Sequence, residues 1–565
     1  MENTVEFFLV SSLEKVLPAR RPVLLPEKPV ISAWRGTKAS VQLVYRCGEY
    51  SEAKFFSVEA VGGPTEMKVS KVGLVPVEMT SFAGADDDFI TKDPALLPDV
   101  ITPVTEEHIR FFPRQYRSLW LTWNIPEDAA SGRYEVKLKI KIPSATMGQD
   151  GRVFPVEDPE TVELPLTVNV IAQKLPKMSI FHNELFYADC LMTQYGVEAF
   201  SEEHWQLLYD YLKSAVVDHQ VTCVYTPLFT PAMDTRAFTE RPTTQLVDVF
   251  INNGEYSFCF DKLRRWLSIC NELGAQYVEL PPFFTQWGAE YTPKIVAVVD
   301  GVEKKIFDWG VPAASPEYRR FMVEMLPKAL AVFAEYGFDK DHVAVKISDE
   351  PQPGQEEQFA IARAQMDGLL DGYFNVESVG SITYVKQGLV KCPCIPSERV
   401  DEFRAAGVKD YIFYYCCVEG DKVPNRFIAM ESYRNRVMGV MLYIYDCKGF
   451  AQWGFNFWNT SYSIYKIDPF RNDHAEWCFP SGDAYLVYPG DDGKPLTSIR
   501  AEVQDEAFYD FRGLKLLESY TGREYVLNMI GEVMGQKDIC MSSYPKDPAL
   551  LLALRERLAE ELAKF

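Results

Sequence analysis

The sequence predicts a multidomain β plus α/β protein: an N-terminal β-sandwich over residues 1–175, a (β/α)8 TIM-like barrel over 176–520, and a short helical C-terminal extension over 521–565. Three observations predict it. The chain has 565 residues, more than one ordinary hydrophobic core supports. Its first part is a series of short β-branched and aromatic runs punctuated by Gly, Pro and Asp. After Leu175-Pro176 the texture changes to apolar strands alternating with amphipathic helices, the mark of a parallel sheet with crossovers.

The sandwich strands are read from VQLVYR, SLWLTWNIP, YEVKLKIKIP and VELPLTVNVIA. SGRY at 131–134 makes a turn into a strand whose Tyr134, Val136, Leu138 and Ile140 alternate with polar residues, as in a sheet with one wet face. The barrel strands are read from MSIFHNELFY (178–187), VTCVYTPLF (221–229), QYVELPPFF (276–284), VAVKISDE (343–350), YFNVESVG (373–380), LVKCPCIP (389–396), DYIFYYCCV (410–418) and FAQWGFNFW (450–458). Helical patterns such as HWQLLYDYLKSAVVDH, DKLRRWLSICNELG and EYRRFMVEMLPKALAVFAEYG lie between them. Eight strands with such connections are what a (β/α)8 barrel requires. Helix-forming sequence then runs from about Ser498 to the end.

Composition narrows the function classes. A formal net charge of −22 works against nucleic acid and anionic membranes as partners, and favours a neutral or cationic substrate. The aromatic content, 13%, suits stacking on sugar rings. No apolar run of membrane-spanning length is present, and the first residues lack the basic and apolar regions of a signal peptide. Twelve scattered Cys show no disulfide framework, so the expectation is a cytoplasmic chain with reduced thiols; a chain with a leader already removed would read the same. The six His include no HxH or HExxH, and Cys392-Pro-Cys394 has no second half, so no metal is expected. There is no GxSxG elbow, P-loop or GxGxxG after a strand, and no cofactor is called for. Oligomeric state is not legible.

In a barrel of this kind the active site lies where the strands end, which directs attention to Lys346-Ile347-Ser348-Asp349-Glu350-Pro351. Two adjacent acids leave an apolar strand, and Pro351 stops strand pairing. Side chains on a regular strand alternate in direction, so both acids face the mouth only where the backbone turns away. Two carboxyls held close cannot both ionise cheaply; one keeps its proton near neutral pH while the other stays charged. Glycosidic bond cleavage needs that division of labour. Neighbours in sequence suit a substrate-assisted route, in which the sugar's 2-acetamido oxygen attacks the anomeric carbon. Asp349 then orients the acetamide and Glu350 serves as acid and base.

From about Ser179 to Glu518 the chain resembles glycoside hydrolase family 123, the β-N-acetylgalactosaminidases, and the broader bacterial set sharing that catalytic domain. The stretches that carry this are FYADCLMTQYGVEAFSEEHW, TPLFTPAMDT, FFTQWGAEYTPKI, ISDEP, FYYCCVEGDKVPNRF, GFAQWGFNFWN and PSGDAYLVYPGDDGKPLTSIRAE. AWRGTKASVQLVYR, SLWLTWNIPEDAASGRYEV and DPALLPD resemble the family's N-terminal sandwich. The resemblance implies retaining exo-hydrolysis of a terminal β-linked N-acetylhexosamine, N-acetylgalactosamine first, with Asp349 and Glu350 matching the acid pair. It places Trp287, Tyr414, Tyr415, Trp453, Asn456 and Trp458 where a sugar cup would be lined, with Tyr415 the first candidate to donate to the acetamide oxygen. His182, Asn183, Asp189 and Asp234 are candidates for contacting hydroxyls, with structural roles as the alternative; Arg500 is a candidate either to reach the site or to form an ion pair. Pro281-Pro282 and Gly439-Val-Met-Leu depart from the family pattern and leave sugar and linkage open. Two other readings stand beside this one: a glycan-binding protein without turnover, and a glycosidase for sugars lacking the acetamide, with Asp189 or Glu279 as a distant nucleophile.

Overall fold

The computed structural model describes residues 5–48, 55–82, 84–143, 145–147, 153–155, 160–234 and 238–565. Thr235, which ends the TPLFTPAMDT stretch, lies outside them. Two five-stranded sheets occupy the N-terminal part. In the first, Val5–Val10, Lys38–Cys47, Arg117–Asn124, Met67–Val77 and Ala95–Pro103 run antiparallel in that order. In the second the order is Val30–Arg35, Glu160–Lys174, Gly132–Ile142, Phe55–Val61 and Ile109–Arg110, with one parallel pair at the Val30–Arg35 edge. The two-residue period decides which face is dry. Val136, Leu138 and Ile140 turn inward to meet Leu43, Leu121 and Trp123 of the other sheet. Lys137 and Lys141 turn outward to pair with Glu163 and Glu59 on neighbouring strands.

Eight parallel strands close the barrel: Phe181–Glu184, Cys223–Tyr225, Tyr277–Glu279, Val343–Val345, Phe374–Ser378, Cys392–Pro396, Ile412–Tyr414 and Gly449–Gln452. Its interior is filled by Phe181, Cys223, Ala344, Val376, Cys392, Cys394 and Ile412. Closure of the first strand on the eighth needs a glycine, because a Cβ at Gly449 would lie 2.1 Å from the Phe181 carbonyl oxygen.

The expected architecture, a β-sandwich with a (β/α)8 TIM-like barrel and a short helical tail, is corrected here. A closed all-parallel barrel is present, but strands dominate the molecule, several mostly antiparallel sheets accompany the barrel, and two of its connections carry strands as well as a helix. The second and third connections carry two hairpins, Asp248–Asn252 with Glu255–Cys259 and Ile295–Val299 with Val302–Phe307, which join into an extra four-stranded sheet. Their turns are Asn253-Gly254 and Asp300-Gly301, all four residues at positive φ. Such pairs are the strongest short-range signal for a tight hairpin, and reading the connections as helices passed over them. Between the fifth and sixth strands there is only a four-residue helix, Thr383–Lys386.

The helices Ile499–Thr521 and Pro548–Leu562 do not trail from the barrel. They pack against the second N-terminal sheet: Ser32 Oγ donates to Glu556 at 2.7 Å, and Gly513 lies so close to Trp34 that an added Cβ would meet its ring at 2.7 Å. Among the described residues no helix is long and apolar enough to cross a membrane.

Candidate active site

The fourth barrel strand ends at Val345, and the chain turns before Asp349. Several bonds hold that turn. The Ile347 N–H donates to the buried Glu377 carboxylate at 2.7 Å, Ser348 Oγ donates to the Thr285 carbonyl at 2.8 Å, and the Trp287 N–H donates to the Asp349 carbonyl at 2.9 Å. Glu350 is left with φ of +45°, a conformation that non-glycine residues adopt only under constraint. The consequence is that both acids line one cavity at the C-terminal ends of the strands, about 840 Å³ including its open mouth.

Their surroundings differ. Asp349 is 5% exposed; Gln286 Nε2 donates to its Oδ2 at 2.9 Å and Lys346 Nζ to its Oδ1 at 3.2 Å. Burial works against the charge of Lys346, but Glu279, 3.3 Å away, and Asp349 outweigh it and hold its pKa well above the usual lysine range. Asp349 therefore faces a fixed cation. Among the described residues no cation makes an ion pair with Glu350, which feels Lys346 only at a distance; its Oε1 accepts a 2.7 Å hydrogen bond from the Tyr414 hydroxyl. Burial, and then the charge of Asp349, push its carboxyl up to about 7, while the Tyr414 and Trp287 hydrogen bonds pull the other way. The pair thus combines a carboxyl that keeps its proton near neutrality with a carboxylate held by a lysine.

Of the residues singled out from sequence, the cavity gathers Asp349, Glu350, Trp287, Tyr414, Trp453, Asn183, Asp234 and Glu279. Trp453 is fixed by its indole N–H, which donates to Asp483 at 2.8 Å. The structure does not bring His182, Asp189, Tyr415, Asn456 or Trp458 to the cavity. Strand parity is the reason for two of them: Asn183 and Tyr414 point inward, so their neighbours His182 and Tyr415 point outward. The His182 ring sits between the Gln220 carbonyl and Glu184, and the Tyr415 hydroxyl faces Asn435 and Gln504. Asp189 is held bidentately by Arg241, and the Trp458 indole donates to the Val487 carbonyl. Asn456 bonds both backbone groups of Tyr187 and so positions a ring that does line the cavity. Arg500 forms a buried pair with Asp99. Sequence reasoning missed Gln286, Lys346, Tyr187 and Phe479. Two of these carried a signal: Lys346 precedes Asp349 by three residues, and Gln286 adjoins Trp287. Among the described residues no group of three or more His, Cys, Asp or Glu side chains is arranged to hold a metal ion.

The family model described as the catalytic domain of glycoside hydrolase 123 matches residues 186–517, more than half the chain and including every strand of the barrel but the first. The chain belongs to glycoside hydrolase family 123. It is a glycoside hydrolase acting on glycan substrates. No curated protein sequence matches this family 123 chain. Among solved structures it is similar to a family 123 glycoside hydrolase from Clostridium perfringens, studied for glycolipid glycan hydrolysis, at 13% identity and a TM-score of 0.70, covering 100% of this chain and 98% of that one. At that identity the likeness bears on the fold. A putative β-galactosidase from Bacteroides fragilis is far more distant: 11% identity, a TM-score of 0.32, and coverage of 89% of this chain and 60% of that one.

Proposed function

We propose that this glycoside hydrolase removes a terminal β-linked N-acetylhexosamine, N-acetylgalactosamine first, with retention and by a substrate-assisted route. Asp349 accepts the acetamide N–H and stabilises the positive charge of the oxazolinium intermediate. Glu350 protonates the leaving oxygen and then deprotonates the attacking water. The observation that carries this reading is the inequality of the two acids: Asp349 against Lys346, Glu350 raised to about 7 against a tyrosine hydroxyl. A base that must also act as an acid works best with a pKa near the operating pH.

The route needs no second carboxylate across the anomeric carbon. Asp189, one candidate for that role, is taken up by Arg241 away from the cavity. Glu279 does line the cavity, which gives the direct-displacement reading its one specific support, but it is engaged by Lys346 and by a 2.5 Å bond from Asn183. The test is a panel of 4-nitrophenyl β-glycosides with and without the 2-acetamido group, run with and without an N-acetylgalactosamine thiazoline. Turnover confined to the acetamido sugars and blocked by the thiazoline is expected. Equal turnover of plain galactosides, insensitive to thiazoline, would transfer the role to Glu279. Binding of the sugars without turnover would leave a lectin-like protein.

A further inference from the structure

Asp234 lies in the connection after the second barrel strand, and it lines the same cavity as the acid pair. Its backbone has φ of +49°, and its N–H donates to Gln286 Oε1 at 2.5 Å. The same glutamine donates through Nε2 to Asp349 Oδ2 at 2.9 Å. One side chain therefore fixes the spacing between Asp234 and Asp349. A carboxylate serving only to staple its loop would have its oxygens bonded, yet among the described residues no donor reaches Asp234 Oδ2, although that atom is shielded from solvent. The nearby Arg241 is no substitute, since it is committed to Asp189 and to the Met233 carbonyl. A buried acceptor without a donor costs about 1–3 kcal/mol, and such a cost at a cavity wall is recovered when a ligand supplies the donor. Burial pushes the carboxyl up to about 7, opposed by Arg241 and by the N–H groups of Tyr462 and Ser463.

We infer that Asp234 accepts a hydrogen bond from the 3-hydroxyl of the terminal sugar and so restricts the enzyme to unsubstituted chain ends. The inference rests on the proposed assignment of the acid pair. Around the barrel mouth Asp234 follows the second strand, Gln286 the third and Asp349 the fourth, whereas Glu350 is tied to Tyr414 of the seventh. Asp234 and Glu350 thus flank Asp349. On a pyranose whose 2-substituent is held by Asp349, the two flanking positions are C1, where Glu350 acts, and C3, which falls to Asp234. A second sugar linked through O3 would remove the proton the carboxylate needs and would meet the wall.

The experiment compares kcat/KM of wild type, Asp234→Ala and Asp234→Asn on 4-nitrophenyl N-acetyl-β-galactosaminide and on its 3-deoxy and 6-deoxy analogues, with matching 3-deoxy and parent β-galactosides. Sites that hydrogen-bond a substrate hydroxyl reject the deoxy analogue strongly; for wild type a loss of about 100-fold is expected with the 3-deoxy sugar and little with the 6-deoxy. Asp234→Ala should lose a similar factor on the parent and distinguish the 3-deoxy analogue by less than about 3-fold. Asp234→Asn, which keeps an acceptor oxygen, should recover part of the discrimination. Damage to the fold lowers both substrates alike and leaves the ratio unmoved. Wild type indifferent to the 3-hydroxyl, or Asp234→Ala as discriminating as wild type, overturns the inference. If wild type prefers the plain galactosides, the acetamide reading fails instead, and the 3-deoxy ratio measured on those sugars still decides the role of Asp234.

Discussion

The inner and outer walls of the barrel treat buried charge in opposite ways. On the outer side several buried acids have an arginine: Glu184 is held by Arg426 through two 2.8 Å bonds, Asp189 by Arg241, Asp99 by Arg500, and Asp510 by both Arg436 and Arg555, whereas Glu377 relies on backbone N–H groups and Asn375. Burial would raise Glu184, but Arg426 and His182 overcome it and its pKa falls below the usual carboxylate value. At the inner mouth four acids, Asp234, Glu279, Asp349 and Glu350, share the cavity, with Lys346 the lone cation among its described lining residues. Glu350 and Asp234 are raised to about 7. The difference teaches where to look for chemistry in this fold: a matched buried pair holds elements together, whereas a surplus of acids over cations at a strand end stores protons for use.

The strongest way to break this comparison is Glu350→Gln. Turnover of the N-acetylhexosaminide should fall by about 1,000-fold, within the range for removal of a general acid and base, while thiazoline binding persists. Stability should move the other way. Because the folded-state pKa of Glu350 is raised to about 7, the folded protein binds more protons than the unfolded one between the ordinary glutamate value and 7. Its contribution is least unfavourable below that window, and stability is lost as pH climbs through it. Urea titrations at pH 5 and pH 8 should show wild type losing stability over this interval and Glu350→Gln losing less. A variant that loses as much as wild type would mean that the carboxyl is not raised.

Arg426→Met attacks the outer wall. It strands Glu184 without its partner, and breaking a buried pair in this way costs about 3–5 kcal/mol, read as a lower urea midpoint with unchanged slope. Replacing Glu184 and Arg426 together by apolar residues should recover part of that loss. Were Arg426→Met as stable as wild type while Glu350→Gln unfolded, the assignment of structure to one wall and chemistry to the other would be reversed.

Much of this division was legible in the sequence, and the illegible part has a geometric cause. The eight apolar runs each contain or overlap a barrel strand, and KISDEP marked the mouth because two acids after such a run, closed by a proline, leave few alternatives. Which neighbour on a strand faces the cavity could not be read, since the period-2 rule gives alternation without phase; His182 against Asn183 and Tyr415 against Tyr414 both turned on it. Arginine partners were equally hidden. Asp189 and Arg241 are 52 residues apart and Glu184 and Arg426 are 242, so only the folded chain shows that these acids are already spoken for. The extra hairpins were missed for a different reason: the helices Asp261–Leu273 and Pro316–Glu335 are where their patterns put them, but Asn253-Gly254 and Asp300-Gly301 were local signals strong enough to be read, and they specified hairpins beside those helices.

The finest distinction between the walls is drawn by two adjacent tyrosines. Tyr414 donates to Glu350, which favours the charged form of that carboxyl; Tyr415 donates outward to Asn435. Tyr414→Phe should therefore raise the Glu350 pKa above about 7 and carry the alkaline limb of the kcat/KM profile to higher pH, with kcat/KM at pH 6 down about 10-fold for the lost orientation of the acid, the equivalent of one ordinary hydrogen bond. Tyr415→Phe should leave the limb in place and kcat/KM within about 2-fold, at a cost of about 1 kcal/mol in stability. The pH profile is the decisive readout, because loosening of the seventh strand would depress both variants without moving either limb. A limb that shifts in Tyr415→Phe and stays fixed in Tyr414→Phe would show that the parity of that strand, and with it the placement of the acid's partner, is the reverse of the one described.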